Sequence, residues 1–342
     1  MIHKQLEKVF LAEKDPFTDI LGQENTKQSL KSALMMNRHI IIVGAPGIGK
    51  TTLAKNVANL LPEIEVVDEC SYHCDPKAPI CPQCRINKSL KAKKIKGYER
   101  FVRIQGSPDL TVEDLLGDID PIKAMKFGPL SLEAFTPGKI FKANRGILFF
   151  DEINRCPEKL QNALLQVLEE RKATIGSYDV DIDADFIFIG TMNPNDSSTE
   201  KLSDVFLDRF DLVYMTYPET VDVEKEIVKL RGKKSVEFPE KLLHFIVYFV
   251  RLLREDDKLA KKPGVRASIG LYERSQSNAL LKNRKRVSLE DIEEVIVSVL
   301  SHRIELKPSV KYLQSPKEFI EEEFRKAMNS YEELKDKSGD YR

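Results

Sequence analysis

Short runs of β-branched and aromatic residues alternate with helical patterns over roughly the first two-thirds of the chain. These runs predict five strands, at Ile40–Val43, Phe101–Ile104, Ile147–Phe150, Phe186–Ile189 and Leu212–Met215. Apolar residues at helical spacing predict helices at Thr51–Leu61 and Glu158–Arg171. Such alternation is typical of an α/β fold in which helices cover a parallel sheet.

The pattern becomes purely helical after Tyr217-Pro218. Ser288, followed three residues later by Asp291 and then by an apolar stripe, predicts an N-terminal capping box. We therefore expect an α/β domain over residues 1–218, a helical domain over 219–335 and a polar tail over 336–342. The predicted helices of the second domain are Val221–Arg231, Glu240–Arg254, Ser268–Leu281 and Ser288–Arg303.

Composition narrows the class of protein. With 42% hydrophobic residues the chain can build a core, and with 54 basic and 54 acidic residues it has no overall bias towards nucleic acid. The N-terminus has no apolar signal core, and the apolar stretch Leu242–Val250 is too short to span a bilayer. We expect a cytoplasmic protein without membrane association, in which cysteines bind metal or lie buried as thiols.

A glycine-rich segment lies where a phosphate-binding loop must lie, between an apolar strand and a helix. Its backbone N–H groups and the first turn of the helix would bind the phosphates of ATP. Lys50 would contact the β- and γ-phosphates, and the Thr51 hydroxyl would bind Mg²⁺. The predicted nucleotide-binding residues are Gly44, Ala45, Pro46, Gly47, Ile48, Gly49, Lys50, Thr51 and Thr52.

A second apolar strand ends in two carboxylates, Asp151 and Glu152, about a hundred residues further on. In that place Asp151 would hold the Mg²⁺ shell, and Glu152 would polarise the attacking water.

Taken in order along the chain, these and other motifs resemble the AAA+ ATPases of the magnesium-chelatase subunit I and MoxR branch. The resemblance runs from about Phe17 to Lys307. It implies a P-loop AAA+ domain with a three-layer parallel sheet, followed by a small all-helical lid. The further motifs are Phe17–Glu24, Ala143–Asn154, Gly190–Pro194, Leu207–Phe210 and Gly264–Ala267.

The resemblance also implies roles for three residues. Asn193 would be the first sensor, Arg209 the arginine finger that reaches a neighbouring subunit, and Arg266 the second sensor, acting in cis or in trans. It implies a homo-oligomeric ring, with a hexamer as the expected size. Two predicted hairpins, near residues 123–136 and 173–183, would face the pore of that ring or lie on the surface without contacts.

Three functions fit this branch. The first is a motor that remodels a protein partner and works with a von Willebrand A-type protein. The second is the ATPase subunit of a chelatase that inserts a metal ion into a tetrapyrrole. A nucleic-acid translocase is the third and is not favoured. The lid resembles MoxR more than chelatase subunits, because few residues separate its second helix from Gly264.

Four cysteines, Cys70, Cys74, Cys81 and Cys84, lie within an expected insertion over residues 68–98. Their C-x3-C-x6-C-x2-C spacing favours a structural Zn²⁺, with an iron–sulfur cluster as the alternative. His73 could replace one thiolate, whereas Cys156 is expected to be a buried small residue.

A basic run follows the cysteines. It has no accompanying aromatic pattern, so we expect a solvated face rather than a phosphate-backbone contact. Its members are Arg85, Lys88, Lys91, Lys93, Lys94, Lys96, Arg100 and Arg103.

Overall fold

The structure is a computed structural model that describes residues 2–87, 89–129, 131–175, 180–194 and 202–331. The chain divides into two compact units, Met1–Gly44 with Gly49–Met215, and Ala45–Ile48 with Thr216–Arg342. Each unit has its own hydrophobic core. None of the described helices combines the length and hydrophobicity that a membrane crossing requires.

Strands and helices alternate in the first unit. Its strands are β1 His39–Val43, β2 Ile64–Val67, β3 Ala92–Ile95, β4 Phe101–Gln105, β5 Gly117–Ile119, β6 Phe135–Pro137, β7 Ile147–Asp151, β8 Lys172–Ile175, β9 Val180–Asp183, β10 Ile187–Met192 and β11 Phe210–Tyr214. Its helices are α1 Ile2–Phe10, α2 Glu24–Met35, α3 Lys50–Leu60, α4 Pro82–Ile86, α5 Val112–Leu116, α6 Pro121–Phe127, α7 Lys139–Lys142, α8 Glu158–Glu170 and α9 Asp204–Leu207.

A parallel five-stranded sheet forms the centre of this unit, in the order β11-β1-β10-β7-β4. The five predicted strands are confirmed, with ends that shift by at most three residues. Ile40, Ile41 and Ile42 are fully buried, as expected for a central strand whose two faces are both covered. The carboxyl ends of β4, β7, β10 and β1 therefore meet at one edge of the sheet.

In the described part of the first unit, three antiparallel strand pairs lie outside the central sheet, β2 with β3 and two in the regions of the predicted hairpins. Strands β8 and β9 pair as expected for residues 173–183, although the predicted turn near Gly176-Ser177 lies outside the described residues. In the other insertion the paired strands are β5 and β6, and they flank α6. The expected hairpin at 123–136 is therefore wrong in detail. Asp120 caps Ile122 and Lys123, with Pro121 at the first helical position, and so starts a helix there.

Up to residue 331, where the description of the chain ends, the second unit has helices and one short strand pair, β12 Leu259–Lys261 with β13 Glu305–Leu306. All four helices predicted there are present, and the Ser288–Asp291 capping box forms. The polar tail at 336–342 lies outside the described residues. The helices are α10 Val221–Arg231, α11 Glu240–Glu255, α12 Val265–Leu281, α13 Leu289–Leu300, α14 Pro308–Lys311 and α15 Pro316–Ser330.

Candidate nucleotide site and cysteine cluster

The predicted phosphate-binding loop connects β1 to α3. Gly44 donates its N–H to Met192 O at 3.1 Å, and the Lys50 ammonium donates to Gly44 O at 2.5 Å. Gly49 has a φ of +109°, a conformation in which a residue with a side chain would be strained. Lys50, Thr51 and Thr52 lie in the first turn of α3, where the unsatisfied N–H groups and the helix dipole favour an anion.

The two predicted carboxylates follow at the end of β7, one strand beyond β10. Asp151 accepts from the Thr191 hydroxyl at 2.8 Å and from the Arg103 guanidinium at 2.6 Å. Glu152 accepts from Gln105 Nε2 at 3.2 Å and has a left-handed backbone with a φ of 57°. The side chains of Asp151 and Glu152 are only partly buried, so both remain reachable from solvent.

Arg103 and Thr191 are contacts that the sequence interpretation missed. The register of β4 against β7 explains the contact of Arg103. Gln105 is paired with Asp151, and Arg103, two residues earlier on β4, lies on the same face of the sheet as Gln105. The expectation of a solvated basic face is wrong for Arg100, whereas the Arg103 side chain is half exposed. Arg100 is fully buried and donates to the carbonyls of Arg145 and Pro62. Lys88 lies outside the described residues.

Asn193 follows β10 at the same edge of the sheet. Its backbone carbonyl accepts from Asn154 Nδ2 at 3.4 Å, which ties the segment after β10 to the segment after β7. Asn193 therefore lies just beyond the strand that neighbours β7, near the segment that carries Asp151 and Glu152.

Arg209 lies between α9 and β11. Its guanidinium forms ion pairs with Glu169 on α8 and, at 3.1 Å, with Asp208. About a third of the side chain is exposed, so the guanidinium is accessible from outside the subunit.

Arg266 lies in the second unit, in the first turn of α12. A Cβ placed on Gly47 would lie 3.2 Å from Cγ of Arg266. The start of α12 is held by Arg254, which donates to Pro263 O at 2.8 Å and pairs with Glu224 at 2.5 Å. Arg254 and Glu224 are both buried, so this ion pair holds the backbone just before Arg266 in place.

The four predicted metal-binding cysteines converge. All four Sγ atoms lie within 4.8 Å of one another, and Cys70 and Cys81 are 3.9 Å apart. Thiolates that bind a tetrahedral zinc at about 2.3 Å lie about 3.8 Å from each other, so the spacing fits a single ion. The sulfur of Cys74 accepts backbone N–H groups from Ile80 and Cys81, both at 3.4 Å. His73 is not part of this group.

Hydrogen bonds among the thiols shift their pKa values in opposite directions. Donation from Cys74 and Cys81 holds the pKa of Cys70 far below its usual range, and the same sharing raises the pKa of Cys74. The hydrogen bond with Cys70 raises the pKa of Cys81 to about 12, and burial raises that of Cys84 to about 12. A divalent cation bound by the four sulfurs would favour their thiolate forms.

Asn144 and Arg145, which precede β7, connect the cysteine loop to the core of the first unit. Asn144, only 4% exposed, donates to Tyr72 O at 2.7 Å and accepts from Asp185 N at 3.1 Å. Arg145 donates to Glu65 O at 2.9 Å and pairs with Asp75 at 3.2 Å. Three of the cysteines are buried in the same core as β7. Cys156, as predicted, is fully buried apart from the cluster.

Three family descriptions match the chain. They are the magnesium chelatase subunit ChlI over residues 16–73, the ATPase family associated with various cellular activities (AAA) over residues 83–212, and the AAA lid domain over residues 261–323. The matches lie in the order in which the α/β unit and the helical unit follow each other. They define the class of protein as an AAA+ ATPase with a P-loop α/β fold and a helical lid.

Relatives along nearly the whole chain narrow the class. The chain is 29% identical to the magnesium-chelatase subunit ChlI homolog of Methanocaldococcus jannaschii, over 94% of this chain and 93% of that protein. It is 30% identical to the magnesium-chelatase 38 kDa subunit of Chlorobaculum parvum, over 86% and 92%. A chloroplastic ChlI subunit of Glycine max is also 30% identical, over 86% and 75%.

A solved structure supports the fold. A chain in the complex between the BchI and BchD subunits of magnesium chelatase matches with a TM-score of 0.50 and 22% identity, over 87% of this chain and 98% of that one. The chain therefore belongs to the AAA+ ATPases of the magnesium-chelatase subunit ChlI family.

Proposed function

We propose that the chain is the Mg²⁺-dependent ATP-hydrolysing subunit of a homo-oligomeric ring, a hexamer by expectation, and that it remodels a protein partner. The main support for ATP hydrolysis is that four predicted site residues follow neighbouring parallel strands and so lie at the same edge of the sheet. These residues are Lys50, Asp151, Glu152 and Asn193. Lys50 and the first turn of α3 bind the phosphates. Thr51 and Asp151 hold Mg²⁺, and Glu152 activates water.

Assembly into a ring follows from the proposed role of Arg209. In the single subunit this arginine pairs with Glu169, whose carboxylate would be exchanged for the γ-phosphate of a neighbour. A guanidinium supplied from the next subunit neutralises charge that develops in the transition state. Hydrolysis would then occur only between assembled subunits. Arg266, in the first turn of α12, would be the second sensor, acting in cis or in trans.

The short connection between α11 and α12 favours a motor that acts on a protein partner over a chelatase subunit. Chelatase subunits are expected to carry a long extra helix there, whereas this chain has residues 256–264 with the short strand β12. A von Willebrand A-type protein is the partner that the resemblance implies. Nucleic acid is less favoured, because Arg100 and Arg103 of the basic run bind groups of this chain itself.

The names of the relatives favour a second candidate. The proteins that are 27–30% identical are named as magnesium-chelatase subunits, and the matching structure is a complex of BchI with BchD. In this second candidate the chain would drive a chelatase that inserts a metal ion into a tetrapyrrole bound by another subunit.

A structural Zn²⁺ completes the proposal. The four thiolates fit one ion, whereas an iron–sulfur cluster lies between its thiolates and needs them further apart. The loop is short and anchored by Asn144 and Arg145, so a bound ion would hold it without any part in hydrolysis.

The Glu152→Gln variant tests the motor. It should bind ATP with normal affinity but turn it over about 10²- to 10⁴-fold more slowly, because the amide cannot accept the proton of water. Glu158→Gln, an exposed glutamate at the start of α8, is the matched control. Near-normal turnover of Glu152→Gln would remove the general-base assignment.

Affinity purification of the slow variant with ATP then identifies the partner. Recovery of a von Willebrand A-type protein supports remodelling, and recovery of chelatase subunits supports the second candidate. Turnover stimulated by DNA or RNA at low salt would instead favour the translocase.

A further inference from the structure

Thr191 lies in the middle of the nucleotide site without any role in the proposed chemistry. It is fully buried on β10, the strand that separates the phosphate-loop strand β1 from the Asp-Glu strand β7. Its hydroxyl donates to Asp151 Oδ1 at 2.8 Å and accepts from the Glu152 backbone N–H at 2.9 Å. One oxygen thus bridges both members of the carboxylate pair.

The backbone at this point needs such support. Glu152 has a φ of 57°, a left-handed conformation that non-glycine residues rarely adopt unless surrounding contacts impose it. On the opposite side, Gly106 donates its N–H to Asp151 O at 2.7 Å. A Cβ on Gly106 would lie only 2.1 Å from Glu152 O, so the residue after β4 also presses closely on the next peptide.

These contacts hold the Asp151-Glu152 peptide from two neighbouring strands. Gly106 fixes the carbonyl side, and Thr191 fixes the N–H of Glu152 together with one oxygen of Asp151. Arg103 occupies the other oxygen of Asp151. A valine would fill the same volume in the buried strand but would leave the N–H and the carboxylate oxygen without this partner.

We propose that Thr191 is a positioning residue for ATP hydrolysis, whose hydroxyl sets the direction of the Asp151 carboxylate and of the Glu152 side chain. This inference rests on the proposed roles of Asp151 and Glu152. Thr191 itself touches neither nucleotide nor water in the reaction. Its effect is transmitted through the geometry of the two residues that do.

The test compares Thr191→Val with Thr191→Ser. The valine variant should lose about 10- to 100-fold in kcat, the rate equivalent of a hydrogen bond to a charged group, while its affinity for a non-hydrolysable ATP analogue stays normal. Serine keeps the hydroxyl and should restore most of the rate. A purely structural role would lower the unfolding temperature and ATP affinity without separating valine from serine.

Two outcomes would overturn the inference. One is an unchanged kcat in Thr191→Val, and the other is an equal loss of kcat in the serine and valine variants. Thr191→Ala replaces the valine variant if the latter fails to fold. The Glu152→Gln variant is measured in parallel: if it retains turnover, the proposed site fails, whereas a dead Glu152→Gln with an active Thr191→Val removes only the positioning role.

Discussion

Strand β7 carries two candidate functional regions, one at each end. Its carboxyl end bears Asp151 and Glu152, which neighbouring strands hold in place through Thr191 and Gly106. Just before its amino end, Asn144 and Arg145 hold the cysteine loop. The first region is built by the sheet itself, whereas the second is an insertion that is fixed by a few side chains and, by our proposal, by a metal ion.

The two ends of β7 hold reactive groups in position in different ways. At the nucleotide end, parallel strands bring their ends to one edge whatever lies in the intervening loops. At the cysteine end, the loop packs three buried cysteines into the core of the first unit, and its strand β3 pairs with β2 in a separate two-stranded sheet. The nucleotide site should therefore survive the loss of the metal, whereas the cysteine loop should not.

The largest effect is expected at the nucleotide end. Arg209→Ala should reduce turnover about 10³- to 10⁵-fold with ATP binding intact, because the finger acts only in the transition state. Steady-state hydrolysis and nucleotide titration check this. Arg38→Ala, which removes an exposed pair with Asp211, is the control. Adding a catalytically dead Glu152→Gln subunit with an intact Arg209 should restore some turnover, and no rescue at all would contradict the role in trans.

A smaller effect is expected at the cysteine end. Cys81→Ser should abolish zinc binding and lower the free energy of unfolding by at least about 3 kcal/mol, because the binding free energy of a structural zinc, about 10–16 kcal/mol in small zinc domains, contributes to folding of the loop. Elemental analysis and denaturant unfolding measure the two changes. Cys156→Ser removes a buried thiol outside the cluster and should keep the metal. Iron with visible absorption in the purified protein would contradict zinc.

The smallest effect is expected where the loop meets the strand. Asn144→Ala leaves Tyr72 O and Asp185 N without their partner and should cost about 1–3 kcal/mol. The loop between residues 68 and 98 should become more sensitive to protease, with kcat of the folded protein little changed. Asn87→Ala, which removes an exposed local bond to Ser89, is the matched control. A loss of kcat as large as that of Thr191→Val would show that the two ends of β7 are not independent.

The sequence by itself determined the sheet strands, the lid helices and the position of the glycine-rich loop between β1 and α3. Long apolar runs need burial on both faces, and the glycine spacing of the loop is set by the phosphates themselves. It also determined which cysteines come together, because their short spacing leaves few alternatives.

Only the tertiary structure decided which side chains meet across paired strands that are far apart in the sequence. The β4–β7 register brings Arg103 of a basic run to Asp151, and the β10–β7 pairing brings Thr191 to the same carboxylate. Arg100 belongs to that basic run too, yet it is buried against the carbonyl of Arg145. Local pattern cannot separate these arginines from solvated ones, because each of them binds a partner more than forty residues away in the sequence.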